Sequence, residues 1–459
     1  MPAHHSSLEA LLQTVTSPVE LLRNSQIGPY VYPVVPPEFT NWRDEQRAWQ
    51  KSCVLFNQSY HMTDMYVEGR DALRLLSNLG INGFGGFGPD RAKQFVACSP
   101  DGYVIGDVVL FCLDADRFNL VGRPSVHNWV QYHCETGGYD ATCERDERAA
   151  VRTGPIVRKA YRFQVQGPNA MKVMEKATGK PAPDLRFFHM CTLKIAGRAV
   201  SALRHGMAGQ PGLELFGPWE EGDEVKAAIV EAGHEFGLRQ VGARAYSSNT
   251  LESGWIPSPM PAIYTGDKLE AYRQWLPSSG YEASLSLGGS FLSSDIRDYY
   301  LTPWDLGYGS LIRFDHDFIG REALQSMADG QHRRKVTLEL DPVDVTHAIG
   351  SLFGSANGKF FDWPSAVYAT LPYDKVTRNG KLAGISTWCG YSFNERRMLT
   401  LAMLDAEHAE PGTEVTFVWG EEGGGTRKST VEPHVQTEIR ATVAPVPYSR
   451  SARADYRRS

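Results

Sequence analysis

The chain has 459 residues, with 47 Lys and Arg against 53 Asp and Glu, a formal charge of −6, and 42% hydrophobic residues. At roughly 150 residues per domain this predicts two to four domains with a sizeable core. The composition argues against a disordered or collagen-like chain, and the missing basic excess argues against a duplex-coating one.

No apolar run approaches the ~18 residues of a membrane span; Val108-Val109-Leu110-Phe111-Cys112-Leu113 stops at six. The start, Met1-Pro2-Ala3-His4-His5, has neither the cationic region nor the apolar core of a secretory signal, so a cytoplasmic home and no membrane partner are expected. The seven cysteines are scattered, with no Cys-x-x-Cys pair, which predicts reduced thiols and neither a disulfide framework nor a metal site.

In chain order, a short apolar stretch over 8–12 precedes a helix start. Ser17 is the expected N-cap, Pro18 suits the first helical position, Glu20 completes a capping box, and Leu21 and Leu22 open the buried face. Strands are expected over 107–113, 118–123 and 161–166, with a hairpin over 191–204 turning at Ala196-Gly197. Val225, Ala228, Ile229 and Ala232 recur at helical spacing before Gly233, predicting a helix over 223–232. Past residue 330 the texture becomes mostly β, with strands expected over 336–340, 413–419 and 439–446 and little helical period. The expected division is therefore 1–330 and 331–459.

One similarity is internal. Val67-Glu68-Gly69-Arg70-Asp71-Ala72 and Val165-Gln166-Gly167-Pro168-Asn169-Ala170 both read as strand, glycine turn, capping Asp or Asn, and helix, which suggests a duplicated α+β unit. Two glycine-rich runs fail as nucleotide loops. Gly83-Phe84-Gly85-Gly86-Phe87-Gly88 follows a helical pattern, not a strand, and precedes Pro89-Asp90, not a helix, so a flexible loop is expected. The 420–429 run lacks Gly-Lys-Ser/Thr and carries Glu421 and Glu422, so it reads as a hairpin connection. Arg450, Arg453, Arg457 and Arg458 read as a solvated basic end.

Four further segments occur in order along most of the chain: Val54-Leu55-Phe56-Asn57-Gln58-Ser59-Tyr60-His61-Met62, the 67–72 turn, Gln166-Gly167-Pro168, and Thr302-Pro303-Trp304-Asp305-Leu306-Gly307 with Phe318-Ile319-Gly320-Arg321-Glu322-Ala323-Leu324. Together they resemble the glycine-cleavage T-protein (aminomethyltransferase) superfamily. The stretches 23–33, Arg204-His205-Gly206-Met207-Ala208-Gly209, 244–255 and Thr430-Val431-Glu432-Pro433-His434 narrow this. They resemble its tetrahydrofolate-dependent aryl-methyl-ether O-demethylases of the vanillate and syringate type. The resemblance implies an α+β fold of two related folate-binding portions, interleaved in sequence, plus a C-terminal β-barrel-like domain. It implies transfer of a methyl group from a lignin-derived methoxybenzoate to tetrahydrofolate, without metal and without a nucleic-acid partner.

The T-protein pattern departs here in two places. Paired aspartates become Gly106-Asp107, and the glutamate after the Tyr-Thr-Gly turn becomes Gln210, so ordinary aminomethyl transfer is in doubt and Asp107 and Glu214 remain as folate ligands. A carboxylate at Glu214 suits the donor edge of a pterin. Arg123 suits a benzoate carboxylate, because a guanidinium grips carboxylates bidentately. A phenoxide leaving group calls for a hydrogen-bond donor. Tyr246 is the first choice, its pKa near that of the departing phenol; His61 is the second, with Tyr32 as a wall and donor, and Gln58 and Tyr30 in support. Trp255 is expected to stack on an aromatic ligand; Gln164 is a candidate pterin contact, and Gln166 is expected to fix its turn. Two alternatives stand beside this reading: a relative using a non-aromatic methyl or aminomethyl donor, and a silent folate-binding protein, although the assembly-factor motif Lys-Gly-Cys-Tyr-x-Gly-Gln is missing from the sequence.

Overall fold

A computed structural model describes residues 6–257, 259–355, 357–424 and 428–454. The N-terminal Met1–His5 stretch, residues 425–427 of the second glycine-rich run, and Arg457 and Arg458 lie outside the described residues. Among the described residues, no helix is long and apolar enough to cross a membrane.

The first helices begin where their caps predict. Ser7 caps Leu8–Leu12. Ser17 Oγ accepts from the Glu20 amide at 3.2 Å, starting Pro18–Asn24. That helix buries Val19 and Leu22; Leu21, expected on the same face, is only half-buried.

The body consists of two α+β units of matching topology. The first places Arg91–Cys98, Val104–Asp114, Arg117–Gly122, Thr63–Glu68 and Thr142–Asp146 side by side in that order. The second runs Met190–Ile195, Arg198–Leu203, Gly212–Pro218, Ala160–Gln166, Cys53–Asn57 and Leu238–Val241. In each, a three-strand meander pairs back onto the unit's first strand, and the second sheet inserts Cys53–Asn57 before its last strand. The Ala196-Gly197 hairpin forms as expected, both residues at positive φ.

The two glycine turns agree bond for bond. Gly69 and Gly167 sit at φ 134° and 128°. A Cβ on either would stand 2.5 Å from the Asp140 carbonyl or 2.6 Å from the Ser52 carbonyl, so only glycine fits. Their carbonyls accept from the Ala72 and Ala170 amides, both at 3.0 Å. Asp71 and Asn169 stand at the N-cap positions as expected, but the side-chain capping bonds do not form. Asp71 binds Arg74 at 2.8 Å instead, and Asn169 donates to the Phe236 carbonyl at 3.2 Å.

Beyond the body, Lys381–Ser392, Asp374–Arg378, Glu414–Trp419, Thr437–Ala444, Arg334–Leu340 and Arg397–Leu404 pair in turn, and the last pairs with the first to close a six-stranded barrel. It has its own core around Leu338, Phe417 and Trp419. Sequence texture missed its helix Pro342–Gly350, which buries only Val345 and Ala348 and so shows little period, although Asp341 caps it at 2.9 Å. The barrel meets the body through buried polar contacts. Glu252 of the body accepts from Ser392 of the barrel at 2.7 Å and from Trp49 at 2.9 Å. Trp388 donates from Nε1 to the Ser247 carbonyl at 2.9 Å.

Candidate functional site

A cavity of about 1610 Å³ lies between the units and the barrel. Residues at one end come from three places: Tyr30 and Tyr32 from the irregular stretch after Pro18–Asn24, Gln58 and His61 from the turn after Cys53–Asn57, and Tyr246 from the end of the short helix Ala243–Tyr246. The rings of Tyr32, His61 and Tyr246 form a triangle with centroids 4.9, 4.9 and 5.0 Å apart. The Tyr246 hydroxyl is their hub. It receives a bond from Gln58 Nε2 at 3.0 Å and lies 3.1 Å from His61 Nε2 and 3.2 Å from Met207 Sδ.

Burial raises the Tyr246 pKa well above 10, and neighbouring Tyr32 adds to the rise. The balanced proton sharing expected from an ordinary phenol is therefore replaced by a firmly protonated hydroxyl. Burial, with Arg123 and Arg158, pushes His61 down to about 3, so its ring is neutral and cannot serve as an imidazolium acid near pH 7. Tyr32 is pushed up to about 12 by burial. Tyr30 donates to the His61 carbonyl and carries the Arg123 guanidinium 4.2 Å from its ring centroid. Arg123 Nη1 is buried with no hydrogen-bond partner among the described residues.

Glu214 and Asp107 mark another part of the wall. Glu214, on Gly212–Pro218, accepts from Arg162 at 2.8 Å and from Gln164 at 3.1 Å, with His205 Nδ1 also 3.1 Å away. Burial alone would raise its pKa, but the His205 bond and the Arg162 charge bring it down to about 2, so Glu214 is a fixed anion. Arg162 in turn bonds Asp64 at 2.9 Å and packs 4.9 Å from the ring centroids of Phe111 and Phe216. Asp107 accepts from Trp255 Nε1 at 3.1 Å, from the Tyr308 hydroxyl at 3.0 Å and from Gln94, all on Oδ2, and its burial raises its pKa.

Tyr30, Tyr32, Gln58, His61, Asp107, Arg123, Glu214, Tyr246 and Trp255 thus share one cavity. Gln164 is not on the wall: it is fully buried behind Glu214, bonded to that carboxylate and to the Met207 amide. Gln166, expected to fix its own turn, instead accepts from the Ala208 amide at 2.9 Å and so holds the loop bearing Met207. Trp255 carries a polar tether to Asp107 in addition to its ring face. Sequence reasoning overlooked Met207, inside the quoted 204–209 stretch, and Tyr308, one residue beyond the quoted 302–307 stretch. It also overlooked Arg162, which lies within the expected strand 161–166. The first glycine-rich run contributes Gly83 and Gly85 to the wall.

The donors and acceptors left over suit two small molecules. An unpaired guanidinium nitrogen beside a phenol cluster fits an aromatic anion. A heterocycle that presents ring N–H donors, as a pterin does, would find two buried carboxyl groups there; the three Asp107 bonds converge on Oδ2, and only one of the three Glu214 contacts reaches Oε1.

Known proteins share the sequence and the fold of this chain. A family model described as the GCVT N-terminal domain matches residues 25–259. The chain is 55% identical over 451 residues to the syringate O-demethylase of Sphingobium sp. (strain NBRC 103272 / SYK-6), covering 98% of this chain and 97% of that one. It is 29% identical to the sesamin methylene transferase of Sinomonas sp. (strain No.22), over 90% of each chain. The crystal structure of the glycine cleavage system aminomethyltransferase T from Bartonella henselae superposes with a TM-score of 0.61 over 92% of each chain, at 17% identity, a likeness of fold.

Proposed function

The chain belongs to the GCVT aminomethyltransferase family, and from that premise we propose that it is a tetrahydrofolate-dependent O-demethylase acting on a methoxybenzoate of the syringate or vanillate class. The products are the phenol and 5-methyltetrahydrofolate. The observation that carries this reading is Arg123 Nη1, buried and unpaired in the wall that also bears the Tyr246 hydroxyl. The relative at 55% identity is a syringate O-demethylase, and the other parts of the reading follow from the chemistry of the wall.

Arg123 holds the substrate carboxylate, and Tyr30 and Tyr32 flank the ring. Tetrahydrofolate, when bound, would supply the nucleophilic N5: the methyl group would pass from the aryl oxygen to N5, and the proton that N5 loses would end on the aryl oxygen, giving the phenol. Charge gathers on the departing phenoxide, and Tyr246 donates a hydrogen bond to it. Its high pKa makes it a stabilising donor and not a full acid. Gln58 and neutral His61 aim that hydroxyl, while Met207 is a weak partner that yields to the substrate oxygen. Glu214 and Asp107 take the pterin donors, Trp255 supplies a stacking face, and Gln164 orients Glu214. We place the chain in a reducing compartment, the cytoplasm, because all seven cysteines are free.

The test is direct. The purified protein mixed with syringate or vanillate and reduced folate yields the demethylated phenol and 5-methyltetrahydrofolate in equal amounts. No product from any methoxybenzoate overturns the reading. Tyr246→Phe lowers turnover 10²-fold or more with little change in either Michaelis constant.

A further inference from the structure

Arg123 does not stand alone. Arg148 lies between Thr142–Asp146 and the turn Ala149–Val151, with its guanidinium 5.3 Å from the ring centroid of the same Tyr30 and 5.1 Å from that of Tyr281. Two cations thus share one tyrosine ring, within about 10 Å of each other by the two ring distances. Arg148 Nε and Nη1 are buried and, like Arg123 Nη1, have no hydrogen-bond partner among the described residues.

The nearby carboxylates make their bonds elsewhere, although Glu282 still feels the Arg148 charge. Glu147 pairs with Arg145 at 2.9 Å and accepts from Thr63 at 3.0 Å. Both oxygens of Glu282 accept from the Asn128 amide at 2.8 Å. Two like charges held close in a shielded place, neither with a carboxylate of its own, repel each other until an anion arrives. The chain as a whole is acidic, so this local excess of positive charge was built against the general trend.

We propose that Arg148 is a positioning residue and the second cation of the benzoate-carboxylate subsite. Unlike Arg123, it does not line the cavity. It stands against Tyr30, holds that ring, and adds its field to the site where Arg123 makes contact. The subsite therefore selects a carboxylate over a neutral phenol more strongly than one arginine would. This rests on the proposed function, and it adds a residue to which the family motifs drew no attention.

The experiment compares wild type, Arg148→Gln and Arg148→Lys, each checked by thermal denaturation. In turnover, Arg148→Gln raises the Michaelis constant for the methoxybenzoate roughly tenfold, about 1.4 kcal/mol. Its kcat and its Michaelis constant for tetrahydrofolate stay within twofold of wild type. Arg148→Lys, which keeps the charge, returns the benzoate value to within threefold. Calorimetric binding of the same methoxybenzoate without folate shows the same order of affinities. A benzoate constant unmoved in Arg148→Gln, both Michaelis constants raised alike, or Arg148→Lys as impaired as Arg148→Gln overturns the inference. Should wild type turn over no methoxybenzoate, the O-demethylase reading fails on its own, and the calorimetric ratio still decides for or against Arg148.

Discussion

The two α+β units have the same backbone plan and opposite chemistry. Asp64 and Arg162 each stand three residues before the shared valine, Val67 in one unit and Val165 in the other. At these equivalent places one unit carries a buried acid and the other a buried base, and the two meet at 2.9 Å. Arg158 adds a second bond to Asp64, also at 2.9 Å, and Arg162 passes the chain of charges on to Glu214. The two units thus share one backbone frame, and opposite charges at one equivalent position both join the halves and make them different. The first unit then provides Arg123 and Asp107, and the second provides Glu214.

The largest expected effect comes from breaking that joint. Asp64→Asn leaves Arg158 and Arg162 buried without their common anion and costs about 3–5 kcal/mol, read as a lower urea midpoint. Next comes a contrast of two buried glutamates. Glu214 is held low, at about 2, whereas burial raises Glu252, at the joint with the barrel, to about 7 from an ordinary 4.5. For Glu252 the folded state holds its proton more tightly than the unfolded one. Its contribution is therefore fully favourable below pH 4.5 and declines, by up to about 3 kcal/mol, as pH rises to 7. Glu252→Gln removes that slope, which denaturation at pH 5 and pH 8 measures.

The equivalence of the turns gives a third test. Gly69→Ala and Gly167→Ala force a Cβ against backbone at nearly equal distances, so the two lower the unfolding free energy by similar amounts, about 2–3 kcal/mol each. Unequal losses would show that the turns are alike only in shape. The smallest effect separates the two substrates. Arg123→Ala raises the Michaelis constant for the methoxybenzoate about 30-fold and spares that for tetrahydrofolate, and Glu214→Gln does the reverse. Steady-state kinetics with each substrate varied in turn checks both.

Local signals were legible where one residue type has one local use. Ser17 with Pro18 and Glu20 announced a helix start, and Ala196-Gly197 announced a turn. The repeated glycine turn and its N-cap positions were legible too, but the capping bonds of Asp71 and Asn169 were not, because the same side chains also bind a nearby arginine or carbonyl. The wall residues were reachable through family motifs. Arg162 and Arg148 were not, because their meaning lies in partners far along the chain, Asp64 for Arg162 and Tyr281 for Arg148; Gln164 was singled out as a pterin contact, but its place behind Glu214 depends on that distant partner too. The helix Pro342–Gly350 escaped for a different reason, since it packs too few side chains to leave a period.

One cavity bears Tyr246 and Arg123 as well as Glu214 and Asp107. Two substrates held in it together can be brought within bonding distance of each other, and the transfer then needs no covalent stop on the protein. A single in-line displacement turns the methyl carbon inside out. A methoxy group made chiral with hydrogen, deuterium and tritium therefore arrives on the folate nitrogen with its handedness inverted.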